Sequence, residues 1–274
     1  MSVPQVLLLG GHGKIALYLT PLLLARSWNV TSVIRNPDHE AEILKLGQGK
    51  PGKVSVLVSS LDDIKSVADA QAILDKVSPE YVVWAAGAGG KGGVQRTYAV
   101  DQDAAKHFIT SSFATPQVRK FLLISHLGSR KTRPSWFSSA DWDRTLKLWD
   151  SILPDYCKAK WEADQLQTAL AAVTKRRDPK RRFQSINLRP GTLTDEPATG
   201  KVSLGQIPIG DRNVSRENVA IVADRLLASE DAEGWVDLLN GDEPIDDAVE
   251  RVAKGKIDAI GDEDVDGMIQ KFGL

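Results

Sequence analysis

The sequence predicts an α/β fold in which helices cover both faces of a mostly parallel, doubly wound β-sheet. Short apolar runs alternate along the chain with longer segments of helical periodicity. The first run, Val6–Leu9, is continuously apolar, as in a strand that is buried on both faces. A glycine-rich turn follows this run and precedes a helical pattern, which predicts a ligand at the carboxyl ends of the strands.

Each element follows from the same alternation of patterns. The predicted strands are the β-rich runs Val6–Leu9, Val30–Ile34, Val54–Val58, Tyr81–Ala85, Phe121–Ser125, Ser185–Leu188 and Trp235–Leu239. The first predicted helix is indicated by four apolar residues at helical spacing: Ile15, Leu19, Leu22 and Leu23. Four further helices are predicted over Asp62–Val77, Thr97–Phe113, Tyr156–Val173 and Arg216–Ala228. Three segments lack a clear period: His126–Ala140 and Pro190–Val214 are predicted as loops, and Asp242–Leu274 as a helical tail.

Length and composition limit the function classes. The 274 residues favour one large domain, or one domain with a small lobe. A net charge of −1 gives non-specific nucleic-acid binding no electrostatic support. The single cysteine, Cys157, allows neither an intrachain disulfide nor a cysteine zinc cluster and fits a reducing, cytoplasmic setting. The four histidines show no metal spacing, and we expect no metal and no membrane span.

The stretch LLLGGHGKIA, residues 7–16, has the features of a dinucleotide-binding loop. Gly10 or Gly11 allows the tight turn, and Gly13 lets the backbone approach a pyrophosphate. Ala16 is small enough for close packing of the helix on the sheet, and the helix N-terminus offers free N–H groups to phosphate. The alternative is a tight strand-to-helix turn without a ligand.

The residue after the second predicted strand indicates which dinucleotide binds. Arg35 stands where an NAD enzyme usually has an acidic residue bonded to the ribose hydroxyls. A guanidinium suits a 2′-phosphate by charge and by bidentate geometry, so NADP is favoured over NAD. The alternative is that Arg35 is an exposed loop arginine.

These motifs resemble the short-chain dehydrogenase/reductase superfamily, and more closely its atypical NAD(P)-binding group. That group includes NmrA-like and biliverdin-reductase-B-like members and fungal proteins of unassigned function. The resemblance covers about residues 3–245 and rests on GGHGKIA, YVVWAAGAGGKGG, TYAVDQDAAKHF, FLLISHLGS, YCKAKWEAD and LRPGTLT. It implies a single Rossmann-like domain, 1–274, in which about residues 190–274 form a substrate lobe and the C-terminal tail.

Three residues carry the candidate chemistry. Tyr156 and Lys160 are four residues apart, so one helical face presents both side chains. The resemblance implies that the lysine stabilises tyrosinate and holds the cofactor ribose, while the tyrosine gives or takes a proton. Ser125 begins an S-x-x-G pattern with Gly128 and is similar to the family's catalytic serine. The alternative is a strand-end serine that bonds backbone.

Further residues are expected around the cofactor. The candidate cofactor-binding set is Gly10, Gly11, His12, Gly13, Lys14, Ile15, Arg35, Leu61, Ala86, Gly87, Ala88, Lys160, Pro190 and Gly191. Asp101 stands where the family often has an asparagine that supports a proton relay. Lys91 can reach phosphate or substrate, but a solvated lysine is the stronger expectation. His12, inside the glycine loop, and His126, next to Ser125, can each touch ligand, but an incidental polar loop residue is the stronger expectation for both.

The sequence therefore predicts an NADP(H)-dependent reductase or dehydrogenase for a small carbonyl or alcohol substrate. The alternatives are a non-catalytic NADP(H)-binding regulator of the NmrA-like type, and an epimerase or lyase that uses the nicotinamide transiently. Trp136, Trp142 and Trp149 indicate an apolar or aromatic substrate lining if the segment after the fifth strand covers the site, or packing if it does not. The oligomeric state is open.

Overall fold

The computed structural model describes residues 3–89, 92–210 and 213–274. Its strands within these ranges are β1 (Gln5–Leu9), β2 (Asn29–Ile34), β3 (Val54–Val58), β4 (Tyr81–Trp84), β5 (Lys120–Ile124), β6 (Gln184–Pro190), β7 (Leu193–Thr194), β8 (Lys201–Gly205), β9 (Val214–Ser215), β10 (Gly234–Asn240) and β11 (Glu243–Pro244). The central sheet has the order β3-β2-β1-β4-β5-β6-β10-β8-β11, and β7 pairs with β9 separately. Among the described strands, β8 forms the two antiparallel pairs, one with β10 and one with β11, and the other pairs are parallel.

The helices cover both faces of this sheet. They are α1 (Lys14–Ala25), α2 (Glu40–Lys45), α3 (Val67–Val77), α4 (Gly93–Thr97), α5 (Ala105–Ala114), α6 (Ser139–Lys147), α7 (Pro154–Arg177), α8 (Arg216–Ala228), α9 (Ile245–Lys254) and α10 (Val265–Lys271). Two π-helical segments, Tyr98–Ala104 and Leu148–Ile152, continue α4 and α6. In the described ranges, no helix is long and apolar enough to cross a bilayer.

The central strand β1 shows how the sheet divides two hydrophobic cores. Val6 and Leu8 contact the core under α1 and α8, whereas Leu7 and Leu9 contact the core under α3, α5 and α7. All four side chains are fully buried. Because successive strand residues point to opposite faces, a continuous apolar run is required in a strand that is covered on both sides. The predicted doubly wound, Rossmann-like fold is confirmed.

One predicted helix begins later than the periodicity indicated. We expected a helix over Asp62–Val77, but α3 starts at Val67 after a 3₁₀ turn at Leu61–Asp63. Ser66 and Asp69 form a capping box: the Ser66 hydroxyl accepts from the Asp69 N–H, and the Asp69 carboxylate accepts from the Ser66 N–H. This reciprocal cap fixes the helix start.

The prediction of an uninterrupted loop over Pro190–Val214 is wrong. Strand β8 lies inside this segment and extends the central sheet by pairing antiparallel with β10. Its Val202 and Leu204 are buried and alternate with the polar Lys201 and Ser203. This polar–apolar alternation is only four residues long, which is too short to predict a strand. The chain after residue 190 therefore adds strands to the main sheet as well as the helices α8, α9 and α10.

A fully buried ionic network joins four parts of the fold. Arg189 of β6 donates to Asp237 of β10 at 3.0 Å and to Asp164 of α7 at 2.6 Å. Arg130, in the loop after β5, donates to the other oxygen of Asp237 at 2.5 Å. All four side chains are at most 1% exposed. Buried charges are tolerated only when they are paired and hydrogen-bonded, so this arrangement fixes the relative positions of the segments.

The same network holds the loop that follows β5. Arg189 donates to the Ser129 carbonyl at 2.9 Å, and the Ser129 hydroxyl donates to Asp164 at 2.6 Å. The guanidinium of Arg189 lies 3.9 Å from the centre of the Trp235 ring, and that of Arg130 lies 5.6 Å from it. The loop is thereby fastened to α7 and β10 before it reaches α6.

The tryptophans of the segment after β5 take part in packing. Trp149 is buried, packs edge-on against Trp161, and donates from Nε1 to the Gly128 carbonyl at 3.0 Å. Trp136 and Trp142 pack against the cluster that contains Phe137. Of the two interpretations left open for these rings, the structure supports packing.

We predict that Asp237→Asn lowers the free energy of unfolding by about 3–5 kcal/mol, because it leaves buried guanidinium charge without its counterion. The measurement is urea denaturation at neutral pH. The control is Asp266→Asn, which breaks an exposed ion pair with Arg176 and should cost at most about 1 kcal/mol. Equal small losses in both variants would contradict the structural importance of the network.

Candidate functional site: a dinucleotide cleft with a tyrosine–lysine end

The glycine loop makes a close approach that only glycine allows. Gly10 has φ +81°, and a Cβ there would lie 2.6 Å from the Ala86 Cα. A Cβ on Gly11 would lie 2.6 Å from the Ser32 Cβ. The Gly13 N–H donates to the Gly10 carbonyl at 2.8 Å and closes the turn. Of the two glycines expected at the tight turn, Gly10 is therefore the one that occupies the left-handed position.

Helix α1 starts directly after this turn with its N–H groups available. Gly13 is the N-cap, no side chain caps the helix among the described residues, and the first turn carries no acidic residue. Such a helix end attracts an anion through its free N–H groups and its dipole. The Ile15 side chain is buried in the core, and Lys14 pairs with Asp195 at 2.5 Å. Ile15 can therefore contribute only backbone to a ligand.

A cleft of about 260 Å³ lies between the glycine loop, the end of β2 and the loop after β4. Seven of the predicted cofactor-binding residues line it: Gly10, His12, Gly13, Arg35, Leu61, Ala86 and Gly87. Residues that the sequence had not indicated also line it, among them His39, Asp62 and Arg96. The cleft lies at the switch point beside β1, where doubly wound folds bind dinucleotides.

Asp62 holds two arginines at the mouth of this cleft. Arg96 donates to Asp62 from Nε at 2.8 Å, and Arg35 donates from Nη1 at 3.2 Å. Burial alone would raise the pKa of Asp62, but these two hydrogen bonds outweigh it and hold the pKa below its ordinary value. Arg96 also donates to the Ala88 carbonyl at 3.2 Å. No motif pointed to Arg96, because its role depends on how α4 folds back over the cleft.

His12 does not stand alone in the glycine loop. Its ring stacks on His39 with centroids 3.5 Å apart, and its Nε2 lies 2.9 Å from the Glu42 carboxylate. The hydrogen bond to His12 lowers the pKa of Glu42. The nearest ligand atoms of the three residues lie within 4.8 Å of one another, a grouping that their spacing in the sequence did not reveal. The rings are stacked in parallel, so one would have to rotate before both could bind one ion.

Beyond the residues that line this cleft, Lys160 reaches the end of β5. Its Nζ donates to the Ile124 carbonyl at 3.1 Å and lies 3.4 Å from Asp101 Oδ1. Asp101 Oδ2 accepts from the Ala88 N–H at 2.8 Å, which ties the loop after β4 to the lysine. Asp101 lies in a π-helical segment, a distortion that is common at functional sites. The aspartate thus occupies the asparagine position as the buried counterion of Lys160.

Tyr156 is held as a neutral phenol. Its ring centre lies 5.8 Å from Lys160 Nζ. Burial raises the pKa of Tyr156, and the negative charges of Asp101 and Asp164 raise it further. At neutral pH the tyrosine is therefore arranged as a proton donor.

Ser125 and His126 stand side by side where β5 ends. Ser125 is 3% exposed, and its hydroxyl has no hydrogen-bond partner among the described residues. The His126 ring is only partly buried and meets the Tyr156 ring edge-on at a centroid distance of 5.8 Å. The structure therefore brings Ser125, Tyr156 and Lys160 to one place and adds His126, which the sequence had indicated only as an incidental neighbour.

The remaining predicted residues contribute backbone or lie elsewhere. The Pro190 carbonyl accepts from the Leu127 N–H, and the Gly191 N–H donates to the Leu238 carbonyl, both at 3.0 Å. These bonds place the end of β6 between the segment that follows β5 and strand β10. Lys91 lies outside the described residues.

A larger cavity, of about 690 Å³, lies at the opposite edge of the sheet, where β5, β6 and β10 begin. Part of the basic run KRRDPKRR lines it, including Lys175, Arg181 and Arg182. Parallel doubly wound sheets bind their ligands at the carboxyl ends of the strands. We therefore place the candidate site in the smaller cleft.

Comparison with known proteins agrees with this geometry. A family model described as NAD(P)H-binding matches residues 10–230. A protein of the UPF0659 family from Schizosaccharomyces pombe is 32% identical over 247 residues, covering 88% of this chain and 91% of the relative. The uncharacterised sugar epimerase YhfK of Bacillus subtilis is 24% identical and covers 90% of this chain and 100% of the relative.

Solved structures share the fold. A putative NAD-dependent epimerase/dehydratase from Bacillus halodurans superposes with a TM-score of 0.70 at 25% identity, covering 90% of this chain and 99% of that one. The anaerobillin reductase ChuY of Escherichia coli O157:H7 has a TM-score of 0.59 at 20% identity, covering 87% and 98%. The chain belongs to the NAD(P)H-binding family of atypical short-chain dehydrogenase/reductases, together with its UPF0659 relative.

Proposed function

We propose that the protein is an NADP(H)-dependent oxidoreductase that interconverts a small carbonyl compound and its alcohol. The observation that carries the proposal is the pair of Tyr156 and Lys160 at the carboxyl end of β5, beside a glycine-loop cleft. A protein that only bound the dinucleotide would not need a buried lysine next to a phenol at this end. The likeness to a protein named as a reductase supports the proposal.

The residues present fit a nicotinamide dinucleotide. Gly10, Gly11 and Gly13 allow close backbone approach, and the start of α1 offers N–H groups to the pyrophosphate. Arg35 is 60% exposed, and its long bond to Asp62 is an exposed ion pair of little stability, so a 2′-phosphate can displace it. Lys160 would hold the ribose. When bound, a reduced nicotinamide supplies hydride to the carbonyl carbon, whose π-electron pair moves to its oxygen.

Side chains of the protein then protonate the former carbonyl oxygen. The Tyr156 O–H bond breaks and its proton passes to the oxygen, which becomes the alcohol hydroxyl. The resulting phenolate is stabilised by the Lys160 ammonium ion and regains a proton from solvent. Ser125, whose hydroxyl is buried and has no partner among the described residues, would orient the substrate after a local movement that exposes the hydroxyl. Residues 190–274 would close the substrate side. A small carbonyl or alcohol substrate and a cytoplasmic setting complete the proposal.

We predict that Tyr156→Phe lowers kcat by about 10²- to 10⁴-fold, because the proton donor is removed and the ring is kept. The measurement is NADPH consumption against a broad set of aldehydes, ketones and quinones, with dinucleotide affinity measured in parallel. Tyr98→Phe is the matched control, since the Tyr98 hydroxyl donates to Asp155 at 2.7 Å outside the proposed chemistry. Full turnover in Tyr156→Phe would remove the tyrosine from the mechanism.

We predict that Arg35→Gln weakens NADPH binding by about 10- to 100-fold, the cost of losing one or two charge-assisted hydrogen bonds to phosphate. Binding of NADH should change less than about threefold, since NADH lacks the 2′-phosphate. The measurement is a fluorescence titration of each dinucleotide. Arg176→Gln, which alters an exposed arginine paired with Asp266, serves as the control. An equal loss for both dinucleotides would count against NADP preference.

Epimerisation is the second candidate, favoured by relatives that are named as epimerases. In that case the nicotinamide would be reduced and reoxidised within one cycle, so no net NADPH would be consumed. Configurational inversion of a sugar without cofactor turnover would identify this activity. Binding of both redox forms without any turnover would instead identify a regulator.

A further inference from the structure

The end of β5 carries two polar side chains that differ in their exposure. The Ser125 hydroxyl is buried to the point that no solvent reaches it. His126, the next residue, has a partly exposed ring that lies against Tyr156. A substrate oxygen next to Tyr156 can therefore meet the imidazole more easily than the serine hydroxyl.

The backbone fixes the tautomer of His126. The Gly128 N–H donates to His126 Nδ1 at 3.0 Å, so Nδ1 is an acceptor and the proton of the neutral ring is on Nε2. Gly128 leaves room for this ring, since a Cβ there would lie 2.9 Å from His126 Cε1. The glycine of the S-x-x-G pattern, Gly128, therefore also positions the His126 ring: it leaves space for the ring and its N–H bonds Nδ1.

The surroundings of His126 keep the ring neutral. Burial lowers its pKa to about 4, and the positive charges of Arg189 and Lys160 contribute. Tyr156, the other titratable group against the ring, is itself neutral. Because the folded pKa lies below the ordinary value, the imidazole is uncharged throughout the neutral range and presents one N–H donor. Within residues 3–89, 92–210 and 213–274, no group accepts a hydrogen bond from the Nε2–H of His126.

We propose that the Nε2–H of His126 donates a hydrogen bond to the reacting oxygen of the substrate, beside the proton donor Tyr156. A carbonyl oxygen has two lone pairs and can accept from both groups. The donor strengthens its bond as negative charge develops on the oxygen, which is how an oxyanion-binding group accelerates a reaction. The inference deepens the proposed oxidoreductase function and rests on it.

Two substitutions separate the two nitrogens of the ring. His126→Asn keeps an acceptor at the Nδ1 position for the Gly128 N–H and removes the distal donor. His126→Gln keeps a distal N–H₂ donor and loses the acceptor. We expect His126→Asn to lower kcat by about 10²- to 10³-fold with little change in NADPH affinity. His126→Gln should retain activity to within about tenfold of the wild type.

The test uses the full chain, NADPH, and whichever compound the wild type reduces from a set that includes 9,10-phenanthrenequinone and menadione. If the histidine only shapes the turn, the order reverses: Asn is active and Gln is impaired, which overturns the proposal. If the wild type binds NADPH and reduces nothing, the proposed function fails, and the role of His126 fails with it. An active wild type with an equally active Asn variant overturns only the role of His126.

A readout without turnover tests the same assignment. In ¹⁵N-histidine NMR spectra of the chain with and without NADPH, the signals assigned by comparison with His126→Asn should show Nε2 protonated and Nδ1 unprotonated from pH 5.5 to 8. A ring that titrates near its ordinary value of about 6.5, or that carries its proton on Nδ1, would overturn the proposal.

Discussion

The buried ion network around Arg189 is the constraint on which the site depends. Arg189 joins β6 to α7 through Asp164 and to β10 through Asp237, and it also binds the carbonyls that follow β5. The candidate chemical groups stand on two of these segments: Ser125 and His126 at the end of β5, and Tyr156 and Lys160 on α7. Their spacing is therefore set by charged groups that cannot separate without leaving a buried charge unpaired. Because directional hydrogen bonds have few alternative arrangements, this polar network favours one relative position of the segments, whereas an apolar contact could form in several.

The candidate site has two parts that differ in their electrostatics. Along the cleft, Arg35, Arg96 and Asp62 form a partly exposed cluster, in which a phosphate can replace a carboxylate. At the reacting end, Lys160 and Asp101 form a buried pair whose charges are nearly balanced around a neutral Tyr156. Exposed pairs exchange partners easily, whereas buried pairs hold position. The arrangement suits binding at one end and proton transfer at the other.

The sequence predicted the parts that depend on local pattern. The strands of the parallel sheet, the glycine loop and the one-turn spacing of Tyr156 and Lys160 all follow from short-range rules. It did not predict β8, whose partner β10 is some thirty residues away, or the ion network, whose members come from four separate segments. Arg96 was missed, and His126 was expected to be incidental, for the same reason, since their contacts arise only in the folded chain.

The central claim is that the chain transfers hydride between a nicotinamide and a carbonyl carbon. The most direct measurement is the fate of deuterium when the protein is incubated with NADPH deuterated at C4 of the nicotinamide, one stereoisomer at a time, and a carbonyl substrate. The account predicts one deuterium on the former carbonyl carbon of the alcohol, from one of the two stereoisomers only. An unlabelled product, or a substrate whose configuration changes while the dinucleotide stays reduced, would contradict it.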